Sequence, residues 1–99
     1  MGLLNSEQVQ AKLAGLSGWE LAGDAIRRTF TFADFTAAVS YVVRLGFAAE
    51  AADHHPDIDI RYKRVTLGYS THSEGGLTDK DFAGAAEATK LAKSAGAQP

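Results

Sequence analysis

The stretch "DHHPDIDIRYKRVTLGYSTH", residues 53–72, decides the fold and contains all three histidines of the chain. Apolar and polar residues alternate in two runs, which is typical of two strands with one buried face each. We predict a hairpin that turns at Lys63-Arg64, although neither residue favours the positive φ of a tight turn. The two ends of the hairpin would lie about one inter-strand spacing apart, ~5 Å, so that His72, at the end of the second strand, approaches the adjacent histidines.

The flanking segments predict three helices and a second pair of strands. Asn5 and Thr78 each precede a Gln or Asp at capping-box spacing, so a helix is expected after each of them. Thr31 and Asp34 show the same spacing before a longer helix that ends near the histidine pair. Gly23 and the aspartate after it indicate a turn between two strands within residues 18–32.

The element order is therefore predicted as α-β-β-α-β-β-α. Four short strands and helices with one apolar stripe each indicate an α+β fold, a single four-stranded antiparallel sheet with the helices packed on one face. We expect residues 1–99 to form one domain, with residues 95–99 frayed. Tyr62 is expected on the apolar face of its strand, and therefore in the core.

The longest predicted helix raises a question about one carboxylate. Its helically spaced apolar residues predict a core-facing stripe of Phe35, Val39, Val42, Val43 and Gly46. Glu50 falls in the middle of that stripe when the residues are projected at about 100° each. A buried, unpaired carboxylate is costly, so Glu50 is expected to have a partner or a role.

Composition excludes several classes of protein. The chain has 99 residues, 45% of them apolar and 22% charged, a net charge of −2 and no cysteine. Disulfides and thiolate metal sites are thus excluded, and the charge gives no basis for direct nucleic-acid binding. No apolar run approaches the ~18 residues of a membrane span, and the N-terminus does not resemble a secretory signal. We expect a cytoplasmic protein.

The histidines allow three interpretations on spacing alone. They can be surface residues that stabilise a helix C-terminus. They can bind zinc through three imidazoles, although adjacent histidines diverge and the helical His-x3-His arrangement is absent. They can also be acid–base catalysts, because histidine titrates near neutral pH.

A longer pattern resembles a known family. The chain reads Glu50-x3-His54-His55-Pro56-x5-Tyr62-x9-His72-x8-Asp81. This resembles the signature of the pterin-4a-carbinolamine dehydratases, also called 4a-hydroxytetrahydrobiopterin dehydratases. The resemblance covers residues 19–91, and the "HHPDI" and "STH" segments share it. One departure is Ile58, where some members have tryptophan.

The resemblance implies a reaction and roles for these residues. The family dehydrates a 4a-hydroxytetrahydropterin to quinonoid dihydropterin and water, with no metal or organic cofactor. His54 and His72 would be the acid and base, and His55 would bind and orient the pterin. Asp81 can cap a helix, support an imidazole, or do both. The residues expected to bind substrate or support the histidines are Glu50, Asp53, Pro56, Ser70, Thr71 and Asp81.

The resemblance also implies partners. Exposed sheet edges and the family habit predict a homodimer or homotetramer. The pterin substrate links the chain to aromatic amino acid hydroxylases, and neither nucleic acid nor membrane is expected as a direct partner. The alternative function is a non-catalytic dimerisation or assembly cofactor that uses the same fold. The complete set of three histidines favours the enzyme.

Overall fold

The computed structural model describes residues 2–99 and confirms the predicted order of elements. The elements are α1 (Ser6–Ala14), β1 (Glu20–Ala22), β2 (Ala25–Thr31), α2 (Phe35–Ala52), β3 (Asp57–Arg61), β4 (Arg64–Tyr69), a 3₁₀ turn (His72–Glu74) and α3 (Asp79–Ser94).

The four strands form one antiparallel sheet in the order β1-β2-β4-β3. One face of this sheet is buried, and its main residues are Ile26, Phe30, Val65, Leu67 and Tyr69. The opposite face carries Arg27, Thr29 and Asp59, which are exposed. Because the apolar residues share one face, the helices cover that face, and the predicted fold class is confirmed.

Two polar side chains inside the core have hydrogen-bond partners. The Tyr41 hydroxyl donates to the carbonyl of Ala88 at 2.8 Å, and the Trp19 indole N–H donates to the Thr89 hydroxyl at 2.9 Å. Both bonds reach α3, one from α2 and the other from the segment before β1. Burial raises the pKa of the Tyr41 hydroxyl above its usual range, so this side chain stays a donor.

The predicted orientation of α2 is wrong. Its side against the sheet consists of Ala38, Tyr41, Leu45 and Ala49. Of the predicted stripe, Val42 packs against the core, whereas the other members are exposed. We call the exposed apolar residues Phe35, Val39, Val43 and Phe47 the outer stripe; Phe35, Val43 and Phe47 are 54%, 55% and 76% exposed. Because α2 is apolar on both sides, periodicity alone allows either side to face the sheet. Glu50, whose angular position lies within the outer stripe, is exposed as a result.

The hairpin turns one residue earlier than predicted. Arg61 pairs with Arg64, so the two turn residues are Tyr62 and Lys63. Tyr62 has φ of 53° and is 66% exposed, which corrects its expected place in the core. The left-handed conformation costs a residue with a side chain about 1–2 kcal/mol. The five residue pairs between β3 and β4 outweigh that cost and set the position of the turn.

The helix starts follow the capping predictions in two of three cases. Asn5 with Gln8 and Thr78 with Asp81 both form capping boxes, as predicted. Thr31 does not cap α2, because it belongs to β2. Asp34 is the cap instead, and its side chain accepts a hydrogen bond from the Ala37 N–H at 2.8 Å.

The last residues of the chain return to the sheet. Ala97 packs against the core. The Gln98 N–H donates to the Thr31 carbonyl at 2.8 Å. Within residues 95–99, which were predicted to fray, defined contacts thus extend as far as Gln98.

Helix α2 also bears on the expected absence of a membrane span. By length and composition alone, its 18 residues are long and apolar enough to cross a membrane. The core helix of a folded domain passes the same test. In this domain one side of α2, which includes Tyr41 and Leu45, is buried, and 22% of the helix is buried in all.

Gly84 allows α3 to approach β4 closely. A Cβ at this position would lie 2.5 Å from Cε1 of Tyr69. Gly84→Ala is expected to lower the free energy of unfolding by about 1–2 kcal/mol, because overpacking outweighs the gain in helix propensity. Gly46→Ala is the matched control on α2, since its Cβ would meet nothing within 4 Å. Urea denaturation of both variants at one protein concentration checks this, and equal shifts would contradict it.

Candidate active site

The end of α2 separates the two adjacent histidines. Asp53 caps the helix in the left-handed conformation, with φ 53° and ψ 40°. The His54 N–H still donates to the Ala49 carbonyl at 3.1 Å, and Pro56 then leads into β3. The side chain of His54 is 13% exposed and that of His55 is 56% exposed. The pair therefore diverges, with one imidazole directed inward and the other outward.

His54 contacts a buried carboxylate. Its Nε2 lies 2.6 Å from Oδ1 of Asp81, whose side chain is fully buried. The other oxygen of Asp81 accepts the Thr78 N–H at 2.9 Å and the Thr71 hydroxyl at 2.8 Å. Asp81 thus caps α3 and contacts an imidazole at the same time, so both of its predicted roles are compatible with one geometry.

His55 has a different carboxylate partner. Its Nε2 lies 2.7 Å from Oε1 of Glu50, whose side chain is 80% exposed. Glu50 was expected on the core-facing side, and the outward orientation of α2 corrects this. An exposed pair of this kind contributes little to stability.

His72 does not end a strand as predicted. Strand β4 ends at Tyr69, and His72 begins the exposed 3₁₀ turn that follows. This difference arises because Thr71 forms an isolated bridge with Gly76 and closes a tight loop. Thr71 nevertheless bonds the same carboxylate as His54. The residue next to His72 is therefore tied to His54 through Asp81.

The remaining predicted residues lie at the exits of these elements. Asp53 is exposed at the end of α2, and Pro56 is half-buried before β3. The Ser70 hydroxyl donates to the carbonyl of Asp24 at 2.9 Å, so it contacts the β1–β2 turn rather than a histidine. The structure thus brings together His54, Thr71 and Asp81 from the predicted set.

An apolar cleft lies beside His54. It has a volume of about 520 Å³ and is formed between the second half of α2 and the first half of α3. Its lining includes His54, Tyr69, Lys80 and Glu87 together with several alanines. His55 and His72 are not part of this lining. A cleft of roughly 300–1,000 Å³ is the usual size for a small-molecule site.

Tyr69 and Thr78 belong to this site but were missed from the sequence. The Tyr69 ring lies 6.1 Å from that of His54, at an interplanar angle of 21°. Burial, followed by the negative charges of Asp81 and Glu87, raises the pKa of the Tyr69 hydroxyl to about 12. Tyr69 lies on the same face of β4 as Val65 and Leu67, and Thr78 has capping-box spacing. From the sequence, both residues were therefore given a structural role only.

The part of the chain that the structure describes contains no set of side chains arranged to bind a metal ion. Within residues 2–99, no three histidine or acidic side chains converge as a group that could hold a metal ion. His54 and His55 instead contact different carboxylates, Asp81 and Glu50.

The chain also matches a known protein family. The model of the family described as "Pterin 4 alpha carbinolamine dehydratase" matches residues 2–91. The chain belongs to this family. The dehydratase resemblance drawn from residues 50–81 is therefore confirmed, and it extends over most of the chain.

Two bacterial relatives share about half of their residues with this dehydratase-family chain. A protein of Roseiflexus castenholzii is 49% identical over 89 residues, which cover 90% of this chain and 96% of the relative. A protein of Mycobacteroides abscessus is 54% identical over 83 residues, covering 84% and 88%. Both bear the name "Putative pterin-4-alpha-carbinolamine dehydratase".

Two solved structures share the dehydratase fold. A transcriptional coactivator/pterin dehydratase from Brucella melitensis has a TM-score of 0.87 and 34% identity, covering 90% of this chain and 97% of its own. A pterin dehydratase-like RuBisCO assembly factor of the alpha-carboxysome has a TM-score of 0.62 and 19% identity, covering 75% and 86%. The second match shows the fold alone.

Proposed function

We propose that this chain dehydrates a 4a-hydroxytetrahydropterin to the quinonoid dihydropterin and water. The contact that carries the proposal is the 2.6 Å pair of His54 and the buried Asp81, at the edge of an apolar cleft. The chain's membership of the dehydratase family supports it. In this role the protein is cytoplasmic and recycles the pterin used by an aromatic amino acid hydroxylase.

The reaction requires two proton transfers. An acid protonates the 4a-hydroxyl, the C4a–O bond breaks and water leaves, while a base takes the proton from N5. His54 and His72 are the proposed acid and base, and the Thr71–Asp81 contact links the segments that hold them. His55, oriented by Glu50, is proposed to bind the pterin at the outer end of α2. All of these transfers use side chains of the chain and need no added cofactor.

The test is a direct assay. The carbinolamine is generated by a hydroxylase in the presence of this protein, and formation of the quinonoid product is followed by absorbance. Acceleration above the spontaneous reaction, in proportion to protein concentration, is expected. No acceleration with folded protein would refute the proposed activity.

We also propose that the outer stripe of α2 joins copies of this chain into a homodimer or homotetramer. Four large apolar side chains on one helix face would otherwise remain in water, and burying each is worth roughly 1.5–3 kcal/mol. Such contiguous apolar patches mark interaction surfaces.

The variant Phe47→Asp tests this assembly. Phe47 is 76% exposed, so the substitution leaves the core of one subunit intact. It is expected to convert the oligomer to a monomer, as measured by sedimentation equilibrium. Tyr62→Asp is the matched control, because it removes an exposed aromatic residue outside the stripe and aspartate tolerates the left-handed turn. A monomeric wild type, or an unchanged mass for Phe47→Asp, would contradict the proposal.

The same stripe favours a second candidate function. A dimerisation or assembly cofactor would use it to bind another protein without catalysis. Affinity capture from the native cell separates the two functions. One stoichiometric partner, together with no dehydratase activity, would favour the cofactor.

A further inference from the structure

The buried hydrogen bonds around Asp81 have a defined direction. The Thr71 hydroxyl donates to Oδ2 of Asp81 at 2.8 Å. Since a hydroxyl has one proton, Thr71 must accept at its other contact, the 2.8 Å bond to the Thr78 hydroxyl. Thr78 therefore donates to Thr71. The Lys80 N–H, in turn, donates to the Thr78 oxygen at 3.3 Å.

This direction determines what His54 presents to Asp81. Oδ2 of Asp81 already accepts two donors, the Thr71 hydroxyl and the Thr78 N–H. Oδ1 remains for His54 Nε2 at 2.6 Å, and a carboxylate oxygen requires a donor there. A neutral His54 therefore has its proton on Nε2. Nδ1 is then the nitrogen with a free lone pair.

We propose that Thr71 and Thr78 are positioning residues that orient Asp81, so that His54 exchanges protons with substrate through Nδ1. The arrangement follows the logic of a carboxylate that holds a catalytic imidazole in one tautomer. Thr71 and Thr78 in turn fix the orientation of the Asp81 carboxylate by hydrogen bonds. Only the step from this tautomer to turnover rests on the proposed dehydration.

The variant Asp81→Asn gives a sharp test, because it should reverse the tautomer. The Thr78 backbone N–H cannot become an acceptor, so the new amide oxygen must occupy the Oδ2 position. The amide NH₂ then faces His54, which must accept at Nε2 and hold its proton on Nδ1.

Nitrogen-15 NMR of the labelled imidazole measures this directly. At a pH where the ring is neutral, wild type is expected to show a protonated Nε2 and a bare Nδ1, and Asp81→Asn the opposite. A wild type with its proton on Nδ1, or an Asp81→Asn protein that keeps its proton on Nε2, would overturn the proposal.

Variants of Thr71 test whether this residue orients the Asp81 carboxylate. Thr71→Val is expected to raise the solvent exchange rate of the His54 Nε2–H about tenfold, since a hydrogen bond to a charged group is worth roughly 1.5 kcal/mol or more. Thr71→Ser keeps the hydroxyl and should restore the slow exchange, which a purely steric role would not predict. Thr66→Val is the matched control, because Thr66 shares a 2.8 Å hydroxyl contact with Thr29 on the exposed sheet. Equal rates in wild type and Thr71→Val would exclude positioning by Thr71.

Thr78 is tested in the same way. Thr78→Val removes the donor to Thr71, and Thr78→Ser retains it. A faster Nε2–H exchange in the valine variant alone is expected. If neither substitution changes the rate, Thr78 caps α3 without positioning Asp81.

Kinetics then separate this proposal from the proposed activity. If dehydration occurs, Asp81→Asn should lower kcat on the order of 10³–10⁴-fold, as the wrong tautomer does in catalytic triads. Thr71→Val should lower kcat about tenfold with KM unchanged. Reversed NMR tautomers without any wild-type dehydration would refute the activity and leave the hydrogen-bond assignment intact. The expected NMR results with full activity in Asp81→Asn would instead refute a catalytic use of Nδ1.

Discussion

Replacing His54 with alanine is expected to slow carbinolamine dehydration by about 10²–10⁴-fold, the usual contribution of a positioned acid or base. His72→Ala is expected to have an effect of the same size, because each histidine is proposed to carry one of the two proton transfers. Both effects should appear in kcat. Initial rates of quinonoid product formation, corrected for the spontaneous reaction, provide the measurement.

His55→Ala is the comparison for these two variants. His55 is 56% exposed and contacts Glu50 rather than the buried network. If it binds the pterin, its loss should raise KM more than it lowers kcat. Amide NMR spectra should first show that every variant is folded, since His54→Ala also removes a partner of Asp81. Unchanged kcat in folded His54→Ala would remove this residue from the proton transfers.

Replacing Asp81 with alanine is expected to lower the free energy of unfolding by about 3–5 kcal/mol, the range for breaking a buried, paired charge. Asp81 is fully buried and accepts from Thr78, Thr71 and His54. Its loss leaves the Thr78 N–H and one of the two hydrogen-bonded hydroxyls, of Thr71 or Thr78, without an acceptor. Unsatisfied buried donors cost about 1–3 kcal/mol each.

Asp79→Ala is the matched control for that loss. Asp79 also lies in the first turn of α3, but its side chain is 80% exposed and it pairs with Lys12 at 3.1 Å. An exposed ion pair contributes about 0–1 kcal/mol, so this variant should remain close to wild type. Urea denaturation of both proteins checks the difference. Similar losses for the two variants would show that Asp81 acts only through its charge at the helix end.

Much of the fold follows from local patterns. The caps at Asn5 and Thr78 are set by side chains three residues from their partners, so neighbouring residues suffice to predict them. Strand alternation likewise predicts the buried faces of β2 and β4. The spacing from Glu50 to Asp81 was sufficient to identify the family. These features depend on short-range geometry or on a long pattern of identities.

The network around Asp81 shows where local patterns end. The capping role of Asp81 was visible from its distance to Thr78. Its contacts with Thr71 and His54 join residues 10 and 27 positions away along the chain. Such contacts arise only when the hairpin, the 3₁₀ turn and α3 have packed together. The family resemblance implied a histidine partner for Asp81, while the direction of the hydrogen bonds needed the positions of every donor.

Helix α2 shows the same division most clearly. Its length, its periodicity and the position of Glu50 on its wheel could all be read from the residues. Which of its two apolar sides meets the sheet could not be, because both have helical spacing. The side with Ala38 and Ala49 packs inward, where small side chains let Tyr41 and Leu45 fit against the strands. That packing turns the outer stripe to solvent and leaves Glu50 free to contact His55.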